Sequence, residues 1–173
     1  MKHVIDGARR FGTAKLGIQL AHAGRKASCK RPWEGKTLSD PLSADPWPTK
    51  SASAVAIGPG WHTPREMSLD DIAALKRSFV TAAERSQRIG FDMIEIHAAH
   101  GYLLNQFLSP ISNKRTDQYG GSRDNRMRLV LEVFQAMRAA WPEEKPIGAR
   151  ISAVEWVEGG WSVEDSVELA KRL

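Results

Sequence analysis

The sequence predicts an α/β fold on a parallel sheet, and three observations carry that reading. Short apolar runs rich in branched residues, "KLGIQLA" (15–21), "FDMIEIH" (91–97) and "PIGARIS" (146–152), have the length of buried strands. Amphipathic stretches with helix-start and helix-stop residues lie between and after them. The two kinds alternate along the chain, and strands joined through helices run parallel with right-handed crossovers.

Residues 3–10 form a helical stretch ahead of the first strand at 15–21. From 23 to 64 the pattern dissolves into Gly, Pro, Ser, Trp and charges, a loop far beyond the usual connection length and of the kind that is functional or disordered. "SAVAI" (53–57) is expected to be a small strand inside it. In "SLDDIAALKRSFVTAAERSQRIG", Ser68 and Asp71 make a capping box, Ile72, Leu75, Phe79 and Ala83 mark an apolar stripe, and Gly90 ends the helix. Strand 91–97 follows at once. After a second loop, 124–142 reads as an amphipathic helix capped by Asp124 or Asn125 and stopped by Pro142. Strand 146–152 comes next, and the last helix opens on a capping box of Ser162 and Asp165.

The 173 residues suit one domain (1–173), and a composition 42% hydrophobic and 26% charged is that of a globular chain rather than a disordered one. No apolar run approaches the roughly 18 residues of a membrane span, and the N-terminus lacks the apolar core of a signal peptide, so a cytoplasmic protein with no membrane partner is expected. The single cysteine, Cys29, excludes an internal disulfide and reads as incidental, because only lysines nearby would lower its pKa. A net charge of +5 could suit nucleic acid, but the basic residues are scattered among acids and turn formers with no binding motif. A phosphorylated small molecule suits this field equally well, and no nucleic-acid partner is expected.

In a parallel sheet the reactive groups lie beyond the carboxyl ends of the strands. The candidates are therefore 19–26, 97–102 and 150–152. His97 and His100, three apart, could ligate zinc, but "HAAHGY" supplies no third ligand and no metal is expected. They could be hydrogen-bonded structural histidines. They could also form an anion hole, two imidazole N–H donors holding a carbonyl oxygen as negative charge develops on it. Tyr102 could then protonate the reacting carbon, or it could simply pack. Gln19 and Arg150 interrupt apolar strands. Each could satisfy a local partner, or the carboxamide could meet the edge of a flavin ring and the guanidinium its pyrimidine end.

"GIQLAHAGRKAS", "RPWEG", "TPREMSLDDI", "GFDMIEIHAAHGYLLNQFLSPISNKRTDQYGGSRDNRMRL" and "GARIS" resemble, in order and spacing, the Old Yellow Enzyme family of flavin-dependent ene reductases. The similarity covers nearly the whole chain and is closest to the bacterial xenobiotic reductase branch. It implies a (β/α)8 TIM barrel binding FMN at its C-terminal face. It implies that Gln19 and Arg150 contact the flavin, that His97 and His100 bind the substrate oxygen, and that Tyr102 donates the proton. Hydride would pass from NADPH or NADH to the flavin and on to the β-carbon of an unsaturated carbonyl compound. Lys26 and Trp33 lie in loops near the site without an assigned role, and the charges of "NKRTDQYGGSRDNR" are expected to shape the loop rather than react.

A barrel of this kind takes roughly 250 residues, and this chain holds three of the eight strands, by resemblance strands three to five. The first expectation is thus a partial barrel, an internal piece of an FMN-dependent ene reductase, active only in the full-length context. The alternative is a non-enzymatic module that buries its open edges by homo-oligomerisation or against a partner. Either way, the inward faces of "GIQLA", "MIEIH" and "IGARI" are expected to leave apolar surface open.

Overall fold

A computed structural model describes residues 1–36 and 40–173. Three strands, β1 (Gly17–Leu20), β4 (Met93–Ala98) and β5 (Ile147–Ile151), form a parallel sheet in the order β1-β4-β5. Helix α1 (Lys2–Phe11) precedes the sheet, α2 (Leu69–Ile89) links β1 to β4, α4 (Arg123–Ala140) links β4 to β5, and α5 (Val163–Arg172) ends the chain. The parallel α/β architecture read from the alternation is the one found.

Local chemistry sets the helix bounds as expected for α2 and α5, where Ser68 with Asp71 and Ser162 with Asp165 form reciprocal capping boxes. Gly90 closes α2 in the left-handed region at φ 97°. Helix α4 differs: its cap is Ser122, whose hydroxyl accepts from the Asn125 N–H, not Asp124 or Asn125. Starting two residues upstream of Asp124 lets a serine supply the oxygen while Asp124 sits in the first turn, where its charge suits the helix dipole.

The core fills one face of the sheet. Ile94, Ile96 and Ala98 of β4 are fully buried against Ile72, Phe79 and Ala83 of α2 and Leu129, Val130 and Val133 of α4. Each large side chain so buried stabilises the fold by about 1.5–3 kcal/mol, so this layer dominates the energetics.

The long loop has more structure than its composition suggested. It holds a 3-10 turn at Gly24–Lys26 and the short strand β2 (Lys50–Ser51), which pairs in parallel with β3 (Arg65–Glu66). The strand expected at 53–57 is absent. Its backbone groups go elsewhere: the Val55 N–H donates to the Ser53 carbonyl, and the Val55 and Ala56 carbonyls accept from Arg25. A helix, α3 (Leu103–Leu108), occupies the start of the second loop. Further on, buried Arg115 pairs with Asp117 and donates to the carbonyls of Ala52 and Met67, stapling the two loops together. The charges of this segment thus shape the loop as expected.

The face of the sheet turned away from α2 and α4 overturns another expectation. Side chains alternate along a strand, so this face carries Gln19, Met93, Glu95, His97 and Arg150 with Gly17 and Gly148. It is polar, and Met93, 37% exposed, is its one large apolar side chain. The other apolar members of "GIQLA", "MIEIH" and "IGARI" point to the helix layer instead.

Candidate active site

The register brings four of the polar groups together. Gln19 lies opposite Glu95, and His97 opposite Arg150, so all four project from one face near the carboxyl ends of adjacent strands. The Gln19 amide donates to the Glu95 carboxylate at 2.5 Å. Arg150 is exposed and makes no hydrogen bond or ion pair among the described residues.

His97 is 5% exposed, and its Nδ1 accepts the Ala99 N–H at 3.2 Å. A ring nitrogen that accepts carries no proton, so the neutral ring bears its proton on Nε2 and has one donor to offer. Burial first, then the His100 ring and Arg150, hold the His97 pKa below the ordinary histidine value. The His100 ring stands 5.0 Å away at 75° and the Tyr102 ring 4.9 Å away at 64°. Thus the three aromatic candidates from "HAAHGY" form one cluster, beside Gln19 and Arg150 on the open face.

Their arrangement depends on a turn in which His100 (φ 58°) and Gly101 (φ 72°) are both left-handed. For a non-glycine residue that conformation costs about 1 kcal/mol and must be held from outside. Side chains take all four backbone polar groups of the two residues. The His100 N–H donates to Ser152 Oγ (2.8 Å) and its carbonyl accepts from Lys26 Nζ (2.9 Å). The Gly101 N–H donates to Asn105 Oδ1 and its carbonyl accepts from Gln106 Nε2, both at 2.7 Å. Lys26 Nζ also lies 5.1 Å from the centre of the Tyr102 ring.

Sequence reasoning gave no role to Lys26 or Ser152, both at the ends of candidate segments, and passed over Glu95, Asn105 and Gln106. A signal existed for the two amides. Asn105 and Gln106 are 3% and 1% exposed within "LLNQFL", and buried amides need partners. Gln106 also donates to the Ala23 carbonyl and accepts from Ser51 Oγ and the Arg25 N–H. The backbone of Gly24 passes so close that a Cβ there would lie 2.3 Å from Gln106 Oε1. That contact, with φ at 61°, explains glycine in "HAGRK". Among the described residues no three metal-ligating side chains converge, and no helix is long and apolar enough to cross a membrane.

A parallel sheet with helices on one face and polar groups gathered at its strand ends is the plan of a barrel-type α/β enzyme. The chain belongs to the FMN-dependent NADH:flavin oxidoreductase / NADH oxidase family, whose profile matches residues 10–173. It is 47% identical to NADH:flavin oxidoreductase FG08077 of Gibberella zeae, over 92% of this chain and 42% of that protein. It is 42% identical to NADPH dehydrogenase of Clostridium acetobutylicum, again over 92% of this chain and 42% of the relative. Among solved structures, morphinone reductase in complex with tetrahydroNAD superposes with a TM-score of 0.77 at 31% identity, covering 99% of this chain and 50% of that one. The chain therefore spans less than half the length of these curated relatives.

Proposed function

We propose that residues 1–173 are the part of an FMN-dependent NAD(P)H oxidoreductase that carries strands three to five of a (β/α)8 barrel and the proton-transfer side of its site. The reaction is reduction of an activated C=C bond in an unsaturated carbonyl compound. One observation carries this reading: a buried His97 committed to a single Nε2–H donor, clustered with His100 and Tyr102, on the same open face as Gln19 and Arg150.

The residues fit a flavin ring. Gln19 keeps a free carbonyl oxygen, and Arg150 is an unpaired cation suited to an electron-rich pyrimidine edge. FMN, when bound, supplies hydride transfer, accepting two electrons from NADPH or NADH and delivering them to the β-carbon. The side chains do the rest. His97 and His100 hold the substrate oxygen and stabilise charge developing there, each donor contributing about 3 kcal/mol. Neither needs to change protonation. Tyr102, whose ring is set against His97, gives its proton to the α-carbon. Among the described residues the sheet has two unpaired edges, on β1 and β5, and these favour a second reading, a partial barrel that acts by association alone.

The test uses this chain joined to the remaining barrel strands. Tyr102→Phe is expected to slow reoxidation of reduced flavin by cyclohexenone about 10²-fold or more, while reduction by nicotinamide keeps its rate. Stopped-flow absorbance separates the two halves. Equal losses in both, or none in either, would remove Tyr102 from the chemistry.

A further inference from the structure

Glu95 has no place in the chemistry above, yet it sits at the centre of the open face, two residues before His97 and directly opposite Gln19. We infer that Glu95 is a positioning residue that sets which end of the Gln19 carboxamide meets the cofactor, and so makes this subsite select a ring that presents an N–H donor. The inference rests on the flavin reading and goes beyond it.

The argument is one of hydrogen-bond polarity. A carboxamide has a donating end and an accepting end of nearly equal size, so by shape alone Gln19 could face a ligand either way. A carboxylate only accepts. The 2.5 Å contact between Gln19 Nε2 and Glu95 Oε1 therefore turns the NH2 group toward Glu95 and leaves Gln19 Oε1 as the free acceptor. The contact is charge-assisted, stronger than one between neutral groups, and a flipped amide would set two oxygens against each other. Backbone pairing of Gln19 with Glu95 in the sheet keeps the two side chains together.

The outcome is a matched pair of recognition elements on one face. Gln19 accepts, while Arg150, two residues further along its strand than Gly148, the position level with Glu95, only donates. An acceptor and a donor set side by side in this way suit an imide edge, in which an N–H lies between carbonyl oxygens. The N–H goes to Gln19 Oε1 and a carbonyl to Arg150. Glu95 acts through Gln19 and touches no ligand.

A double-mutant cycle tests this by fluorescence quenching of FMN and of a 3-deaza analogue, in which carbon replaces the ring N3–H, titrated with this chain joined to the remaining barrel strands. The wild type is expected to prefer FMN about tenfold, the worth of one hydrogen bond. Gln19→Leu and Glu95→Leu should each reduce that preference to near parity, and the double variant should match either single one. Should Glu95→Leu fold poorly, Glu95→Gln, whose amide both donates and accepts, is expected to give an intermediate preference. If Glu95 variants keep the full preference while Gln19→Leu loses it, or shift both flavins equally, the positioning role is wrong. If the wild type binds neither flavin, the flavin reading fails first and takes the inference with it.

Discussion

Acidification bears on His97 before it reaches the carboxylates. Burial, with His100 and Arg150 nearby, keeps its folded pKa below the ordinary value of about 6.5. The unfolded chain therefore binds this proton at higher pH than the folded one, and stability rises with pH through the interval between the two values. The contribution is complete above about pH 6.5 and is lost as the pH falls toward the depressed folded pKa. Urea unfolding is expected to show a lower midpoint at about pH 5 than at pH 7, with a smaller difference in His97→Gln. An equal difference in that variant would mean another group is responsible. Gln19, His97, His100, Tyr102 and Arg150 were legible because each puts a polar group in or just after an apolar strand. Glu95 does so too, but its use depends on Gln19, 76 residues earlier, lying opposite it, and register is not written in either strand alone.

Helix α3 shows what element-level patterns leave out. All six of its residues are buried, so "LLNQFL" has no polar face and no periodicity to betray a helix. Its amides are spent on the neighbouring turn at Gly101 and, through Gln106, on the turn at Gly24, more than 80 residues earlier. The other helices were legible for the opposite reason: Ser68, Gly90 and Ser162 act on neighbours within their own segments. Gly24→Ala is expected to destabilise the chain by about 1–3 kcal/mol, through strained φ and collision with Gln106. Four hydrogen bonds hold the Gln106 carboxamide, so it has little room to retreat. A denaturant midpoint unchanged from wild type would show that the turn can rearrange.

At the scale of the whole molecule, the described residues form a three-stranded parallel sheet in which β1 and β5 each have an unpaired edge, while its open face is polar. Association is then expected to run through backbone pairing at the edges rather than through an apolar surface. Sedimentation equilibrium should find the isolated chain associating with concentration, with little weakening by salt, and the purified protein should carry no yellow colour after gel filtration. A salt-insensitive monomer retaining flavin would overturn both expectations. The four holds on the His100–Gly101 turn also bear on the order in which the chain folds. Lys26 is 74 residues before His100 and Ser152 is 52 after it, so two of those holds arise only once both crossovers have closed. Loops of that span form late, because their closure entropy is spent before any contact rewards it. The hydrophobic layer can therefore assemble while the turn is still unset, and the left-handed His100 becomes a native-state feature that collapsed intermediates lack.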